Sequence, residues 1–334
     1  MKHAAGSLRR FAVVVAAATL VGCLPLTRAP KQVPPLDVPH GSTQVYAVGD
    51  LADCGRDPPD RTAARDVARL VPNGATVLAL GDLVYPFTDP AALAQCYEPT
   101  WGRHRATTLA VAGNHDYVAG SSRTFRAYFN LDALVTSDRY VAYTHAIAPD
   151  WLLIVLDSNV DDRALRDQLE WLRQTLERER PRASRASPSP APRCLAVAWH
   201  APLYSSGWHR GSGEHMRPYW ELLDAYGADL VLSGHEHFYE AFAPFDAYGR
   251  RVADGEGPRQ FTVGTGGAQL HGFWKPPYAS RARVLEYGVL QLTLAPGRYA
   301  WRFIDRERNV RDAGSADCRG PAQGAGVPSA VDLG

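Results

Sequence analysis

The sequence has almost no charge to spare. Against 36 Lys and Arg stand 35 Asp and Glu, a formal net charge of +1. A chain dedicated to nucleic acid carries a basic stripe interleaved with aromatics, and none is present. No internal repeat is evident. The apolar run from Phe11 to Val21 is too short to anchor a chain across a bilayer. Placed after Lys2, Arg9 and Arg10, it reads instead as an export signal. Cysteines are few, at five, whereas aromatics are plentiful, with 8 Trp and 15 Tyr for core and rim packing. At 334 residues the chain is long enough for one large domain or two small ones.

The signal closes on Leu20-Val21-Gly22-Cys23, which resembles a bacterial lipobox. That resemblance implies acylation of Cys23 as the mature N-terminus and a lipid anchor in the cell envelope. The Pro-rich stretch that follows reads as a tether. The expected organisation is a signal over 1–22, a tether over 23–42, one domain over 43–310 and a low-complexity tail over 311–334. A basic, Ser/Pro-rich insert at 178–193 reads as a flexible loop. Beyond Cys23, an even set remains: Cys54, Cys96, Cys194 and Cys318. In an exported chain this suggests disulfides. Three pairings are open. The favoured one is Cys54–Cys96, tying segments that each follow a strand-end motif, with Cys194–Cys318 pinning the tail.

Five short apolar runs end alike. "QVYAVGD" stops at Asp50, "ATVLALGD" at Asp82, and "TTLAVAGNHD" at Asn114, His115 and Asp116. "CLAVAWH" stops at His200, and "ADLVLSGHEH" at His235 and His237. Runs rich in Val and Leu and polar only at their ends predict strands covered on both faces. Helical patterns fall between them, at 61–71, 163–176 and 214–227, the last ending in Gly227, suited to a C-cap. Alternating strands and helices predict an α/β fold, in which sites form outside the carboxyl ends of the strands. Here those ends carry carboxylates, an Asn amide and imidazoles, flanked by glycines that allow sharp turns and close approach. Such donors suit borderline divalent and harder trivalent metals, and there are enough for two ions sharing a bridging carboxylate. Metals about 3.5–4 Å apart suit in-line attack on phosphorus.

The ordered series "GD", "GDLVY", "GNHD", "AWH" and "GHEH" resembles the calcineurin-like metallophosphoesterase superfamily, over residues of about 44 to 305. Tyr85, three residues after Asp82, looks like the purple acid phosphatase variant. Ala52 stands where many other members carry a histidine. "CYEPTWGRHRA", "LDSN" and "GTGG" resemble a bacterial branch of those phosphatases. The resemblance implies two mixed β-sheets packed as a sandwich with helices outside. It assigns Asp50, Asp82, Tyr85 and His237 to one metal, and Asp82, Asn114, His200 and His235 to the other. A tyrosinate ligand implies Fe(III) in the first site, with Zn, Mn or Fe as the divalent partner. The implied reaction is hydrolysis of a phosphomonoester by metal-bound hydroxide. His115 would act at the leaving group and Asp116 would orient it.

His209 and His215, in the segment 200–215, are candidate phosphate contacts. Ala201 stands where related sequences often carry a second histidine. Asp53 reads as a turn or cap residue and His145 as structural on a strand. The glycines before His271 suggest a tight loop near the site, but no motif assigns that histidine a role. The expected function is therefore an exported, lipid-anchored phosphatase acting on small phosphate esters. A phosphodiesterase or nucleotidase on the same metals, or a non-catalytic metal-binding lipoprotein, are the alternatives.

Overall fold

The computed structural model describes Met1 and residues 41–55, 58–59, 61–135, 137–181, 194–209, 213–246, 248–275 and 280–320. The expected signal, Cys23, nearly all of the tether, most of the insert and the end of the tail lie outside these residues. From residue 41 onward the described residues fall in one compact unit. Among them, no helix is long and apolar enough to cross a membrane.

Two large sheets dominate. In the first, the strand Thr43–Val48 pairs in parallel with Thr76–Ala79, which pairs in parallel with Thr108–Ala110. Its other side is an antiparallel run through Gly288–Ala295, Arg298–Asp305 and Val310–Asp317. In the second sheet, Trp151–Val155, Cys194–Ala198, Leu230–Ser233 and Arg259–Val263 are mutually parallel neighbours. Antiparallel strands Tyr143–Ala148 on one edge, and Tyr239–Phe242 with Ser280–Val284 on the other, complete it.

Alternation along the strands explains the layers. Leu153, Val155, Ala196, Ala198, Leu230 and Leu232 share one buried cluster with Val45, Ala47, Val77 and Ala79 of the first sheet. The intervening Leu152, Ile154, Leu195, Val197 and Val231 pack instead with Leu172, Leu176, Tyr219, Trp220 and Leu223 of two helices. A period of two sends alternate side chains to opposite faces. The second sheet thus meets the first on one face and helices on the other, which makes the expected sandwich. The three expected helices run over Ala63–Ala68, Asp162–Glu179 and Arg217–Ala225, and a further one over Arg123–Tyr128. Asp161 caps the second, its carboxylate accepting from the Ala164 amide.

Both disulfides form as favoured, Cys54–Cys96 and Cys194–Cys318. Two boundaries differ from expectation. Residues 311–317, assigned to the tail, make most of an edge strand, because Trp301 and Tyr239 both donate to the buried Asp312 carboxylate and hold it there. The helix over the second sheet runs to Glu179, into the expected insert. Its end carries Arg173 paired with Glu170 and Glu177, support at helical spacing that composition alone does not reveal.

Candidate metal centre

The carboxyl ends of the two sheets' parallel strands are stitched together by backbone. The Gly49 amide of the first sheet donates to the Val263 carbonyl of the second at 2.8 Å. The Asp50 amide reaches the Gly81 carbonyl at 2.9 Å, and the Gly234 amide the His200 carbonyl at 3.0 Å. Three functional side chains then leave on a left-handed backbone: Asp50 at φ 59°, Asp82 at φ 55° and His235 at φ 69°. This region is sparsely used by residues with a Cβ, and such strain concentrates at functional sites. Each follows a glycine. Gly81 itself sits at φ +94°, and a Cβ there would lie 2.5 Å from His200 Nδ1.

Two clusters of four donor atoms result. In the first, the Tyr85 hydroxyl lies 2.7 Å from Asp50 Oδ1, 2.9 Å from Asp82 Oδ2 and 2.9 Å from His237 Nε2. His237 Nε2 is 3.1 Å from Asp50 Oδ1. In the second, His200 Nε2 lies 3.2 Å from Asp82 Oδ2 and 3.2 Å from Asn114 Oδ1. His235 Nδ1 lies 3.0 Å from Asn114 Oδ1 and 3.2 Å from His200 Nε2. Asp82 Oδ2 belongs to both clusters.

Each carboxylate is tied at its far oxygen by a backbone amide. His115 N–H donates to Asp82 Oδ1, and His235 N–H to Asp50 Oδ2, both at 2.8 Å. Two imidazoles are set by carbonyls: His200 Nδ1 donates to Leu80 at 2.7 Å and His237 Nδ1 to Gln269 at 2.6 Å. Both rings therefore turn Nε2 into the clusters, the orienting role that outer partners play around metals.

Do these residues fit a pair of cations? One phenol proton can serve only one of the three atoms around Tyr85 Oη. In neutral His200 and His237 the inward nitrogen is a lone pair facing oxygen lone pairs. Positive charge must fill that space. Without a metal, protons would: burial opposes charging His200, but the Asp82 and Asp50 carboxylates outweigh it and push the ring up to about 10. His235, pushed down to about 3 by burial and by His200 and His209, stays neutral at the cluster. Donors spaced by about 3 Å match the edges of a shell with bonds of about 2.0–2.2 Å. Asp82, His200 and His235 each offer a ligand atom within 4.8 Å of the others. The set fits two ions bridged by Asp82.

The clusters open into a cavity of about 280 Å3 lined by, among others, Asp82, Tyr85, Asn114, His115, His209 and His271. His115 Nδ1 contacts the Pro86 carbonyl at 2.5 Å, and its Nε2 lies 4.0 Å from Asp82 Oδ2. Asp116 does not orient His115, contrary to expectation. Its carboxylate is filled by the amides of Asp82 (2.8 Å), Gly113 (2.8 Å) and Leu83 (3.0 Å) and by the Thr88 hydroxyl (2.6 Å). It clamps the loops that present Asp82 and Asn114. His215 does not line the cavity either; its Nε2 bonds the Ser158 carbonyl at 2.9 Å. His209 does, held by Glu236 through its backbone amide (3.1 Å) and Nδ1 (3.3 Å).

Sequence reasoning left some residues unassigned. His271 stacks on His237, with centroids 4.3 Å apart, and lines the cavity. The only signal for it was the glycine-rich segment just before. Asp53 makes the expected turn, accepting from the Gly55 amide, yet it also lines the cavity. Glu236, between two histidines, is buried and turned toward His209. The carbonyls of Leu80, Pro86 and Gln269 carry no side-chain signal at all.

A two-sheet sandwich with this donor set defines a metallophosphoesterase. The calcineurin-like phosphoesterase family model matches residues 43–239, more than half of the chain, and the chain belongs to that family. Membership with these residues implies a binuclear metal centre. The chain is similar to purple acid phosphatase 22 of Arabidopsis thaliana, 29% identical over 244 residues, which cover 66% of this chain and 51% of that protein. It spans about half or less of the curated relatives it matches. Its fold is similar to a purple acid phosphatase from yellow lupin seeds (TM-score 0.59, 18% identity, 83% of this chain and 54% of that one). It is equally similar to GAP50, the anchor in the inner membrane complex of Plasmodium (TM-score 0.59, 16% identity, 83% and 89%). An anchor and a phosphatase on one fold show that activity must be argued from the site.

Proposed function

We propose that this chain is an exported, binuclear metal-dependent phosphatase that hydrolyses phosphomonoesters. The observation that carries the reading is the pair of four-donor clusters sharing Asp82 Oδ2. Asp50, Asp82, Tyr85 and His237 would hold one ion, and Asp82, Asn114, His200 and His235 the other. The phenol of Tyr85 is pushed well above its ordinary value by burial and by the carboxylates of Asp50 and Asp82. A phenolate ligand, as the resemblance to purple acid phosphatases implies for Tyr85, suits a strongly charged ion, which supports Fe(III) in the first site and Zn, Mn or Fe in the second. When bound, such ions supply a nucleophile from water and positive charge for the phosphoryl oxygens.

The protein's own groups do the rest. Asp116 accepts the Asp82 and Gly113 amides and so ties together the two loops that carry Asp82 and Asn114. With Nδ1 donating to Pro86, His115 lines the cavity with Nε2 free of that contact, where the ring can meet the phosphate or pass a proton to the leaving oxygen. His209, braced by Glu236, is placed for a further phosphate contact.

Initial rates on matched nitrophenyl phosphate monoester and diester, from pH 4 to 10, test this. The monoester should lead by more than tenfold, with Asp82→Asn inactive. A diester preference would make the enzyme a phosphodiesterase, and no turnover with metals bound would leave a binding protein. In the same preparations the wild type should absorb visible light through Fe(III)–tyrosinate and Tyr85→Phe should not. A colourless, fully active wild type would reject the iron assignment. Export and anchoring rest on the sequence around Cys23. Cys23→Ser should move the protein from the membrane fraction to the soluble one, and no change would remove the lipid anchor from the proposal.

A further inference from the structure

Trp101, Trp151, Trp199, Trp220 and Trp301 are buried, whereas Trp208 and Trp274 are 55% and 60% exposed. The two exposed indoles are in contact, with centroids 4.5 Å apart at 68°. Neither lines the cavity itself, but each is close along the chain to a residue that does. Trp208 precedes His209, and Trp274 lies three residues beyond His271, and both histidines line the cavity.

The mounting is firm. The amides of Trp274 and Lys275 both donate to the Ser206 carbonyl, at 2.9 and 3.0 Å. Ser206 is held in turn by the buried Glu240, through its amide at 3.0 Å and its hydroxyl at 2.6 Å. Between them, Phe273 turns inward onto Phe238 (4.4 Å), with the Arg283 guanidinium 4.0 Å from its ring. A segment anchored this well could have turned its tryptophans inward too. Instead it holds two large apolar faces in water, on the segments that carry His209 and His271 into the cavity.

Cavity size indicates what they meet. About 280 Å3 lies below the roughly 300–1,000 Å3 usual for a whole organic ligand, and two ions with a phosphate must share it. The organic half of an ester must therefore emerge over the rim. We propose that the Trp208–Trp274 pair is a stacking shelf that selects phosphate esters bearing a planar ring, a nucleoside or an aryl group, over esters of flexible polyols. The proposal rests on the phosphoesterase reading and names the substrate class of that site.

The test compares the wild type with Trp208→Ala/Trp274→Ala on adenosine monophosphate, glucose 6-phosphate and glycerol 2-phosphate. In the variant, KM for adenosine monophosphate should rise about tenfold with kcat within about twofold, and the two polyol esters should be unaffected. Tenfold corresponds to ~1.4 kcal/mol, within the range for stacking a base on an aromatic side chain. Equal losses on all three esters, or none, would overturn the shelf. Calorimetric binding of adenosine monophosphate to both proteins separates this from failure of the parent reading. If no ester is cleaved, wild-type binding that the variant weakens tenfold still supports the shelf, and equal binding overturns it. Trp-dependent binding to phosphatidylcholine vesicles, with no change on any ester, would assign the indoles to a lipid surface and overturn the proposal.

Discussion

Asp116 shows how a single carboxylate can govern a metal site without touching a metal. Four donors fill it, two of them the amides of Asp82 and Gly113, and burial with the Asp82 charge pushes it up to about 6. Asp116→Asn leaves one oxygen and introduces an NH2 that faces former donors. A buried amide deprived of its acceptor costs about 1–3 kcal/mol. The variant should lose that much stability in urea denaturation. It should also bind metal about 10–100-fold more weakly in equilibrium dialysis, the usual effect of removing an orienting partner. Unchanged metal affinity would reduce Asp116 to a folding residue. The motif "GNHD" marks Asp116 as belonging to the site, but three of its four donors, the Asp82 and Leu83 amides and the Thr88 hydroxyl, lie 34, 33 and 28 residues away, which no local pattern displays.

At the scale of the element, the parallel strands end where the sequence indicates, because an apolar run must stop where its chain leaves the sheet. The pitch at which each end departs was not visible. It depends on left-handed backbone at Asp50, Asp82 and His235, held by neighbouring strands. A second junction tests the same idea away from the metals. Asp229, just before the strand Leu230–Ser233, accepts the amides of Leu195 (2.7 Å) and Arg319 (2.6 Å), and burial pushes it up to about 6. Unfolded, it titrates near 3.9. Between about pH 4 and 6 the folded state therefore binds more protons, so its contribution to stability falls as pH rises, by about 2–3 kcal/mol. Asp229→Asn cannot ionise. The stability gap between wild type and variant should narrow by about 2 kcal/mol from pH 4 to pH 7, measured by urea denaturation. A constant gap would place the Asp229 titration near its ordinary value.

At the scale of the whole molecule, the two disulfides act differently. Cys194 begins a strand of the second sheet, and Cys318 follows the edge strand of the first, so this bond ties the two sheets across 124 residues. Cys54–Cys96 closes 42 residues next to the Asp50 and Asp53 loop. Loop-closure entropy assigns about 5 kcal/mol to the first and about 4 to the second. Replacing each pair with alanine should show that order in denaturation, and only Cys54→Ala/Cys96→Ala should also weaken metal binding. Equal effects on metal would mean that the 51–55 loop needs no tether.

The choice of seven candidate ligands, Tyr85 among them, came from the resemblance to the phosphatases. The α/β class and the five polar strand ends were legible in the sequence, because burial on both faces demands apolar runs that turn polar only where the chain leaves the sheet. The edge strand at 310–317 was not, since its pattern is polar and its place is set by Asp312 meeting Trp301 and Tyr239. Nor could the sequence decide among the histidines. His209 and His271 line the cavity and His215 does not, because what separates them is the direction each ring takes after folding. Composition and order along the chain therefore determined which chemistry is available here. Tertiary structure alone decided which atoms share it, because Asp82 Oδ2 joins the two donor clusters only when folding brings Tyr85 and His200, 115 residues apart, to the same oxygen.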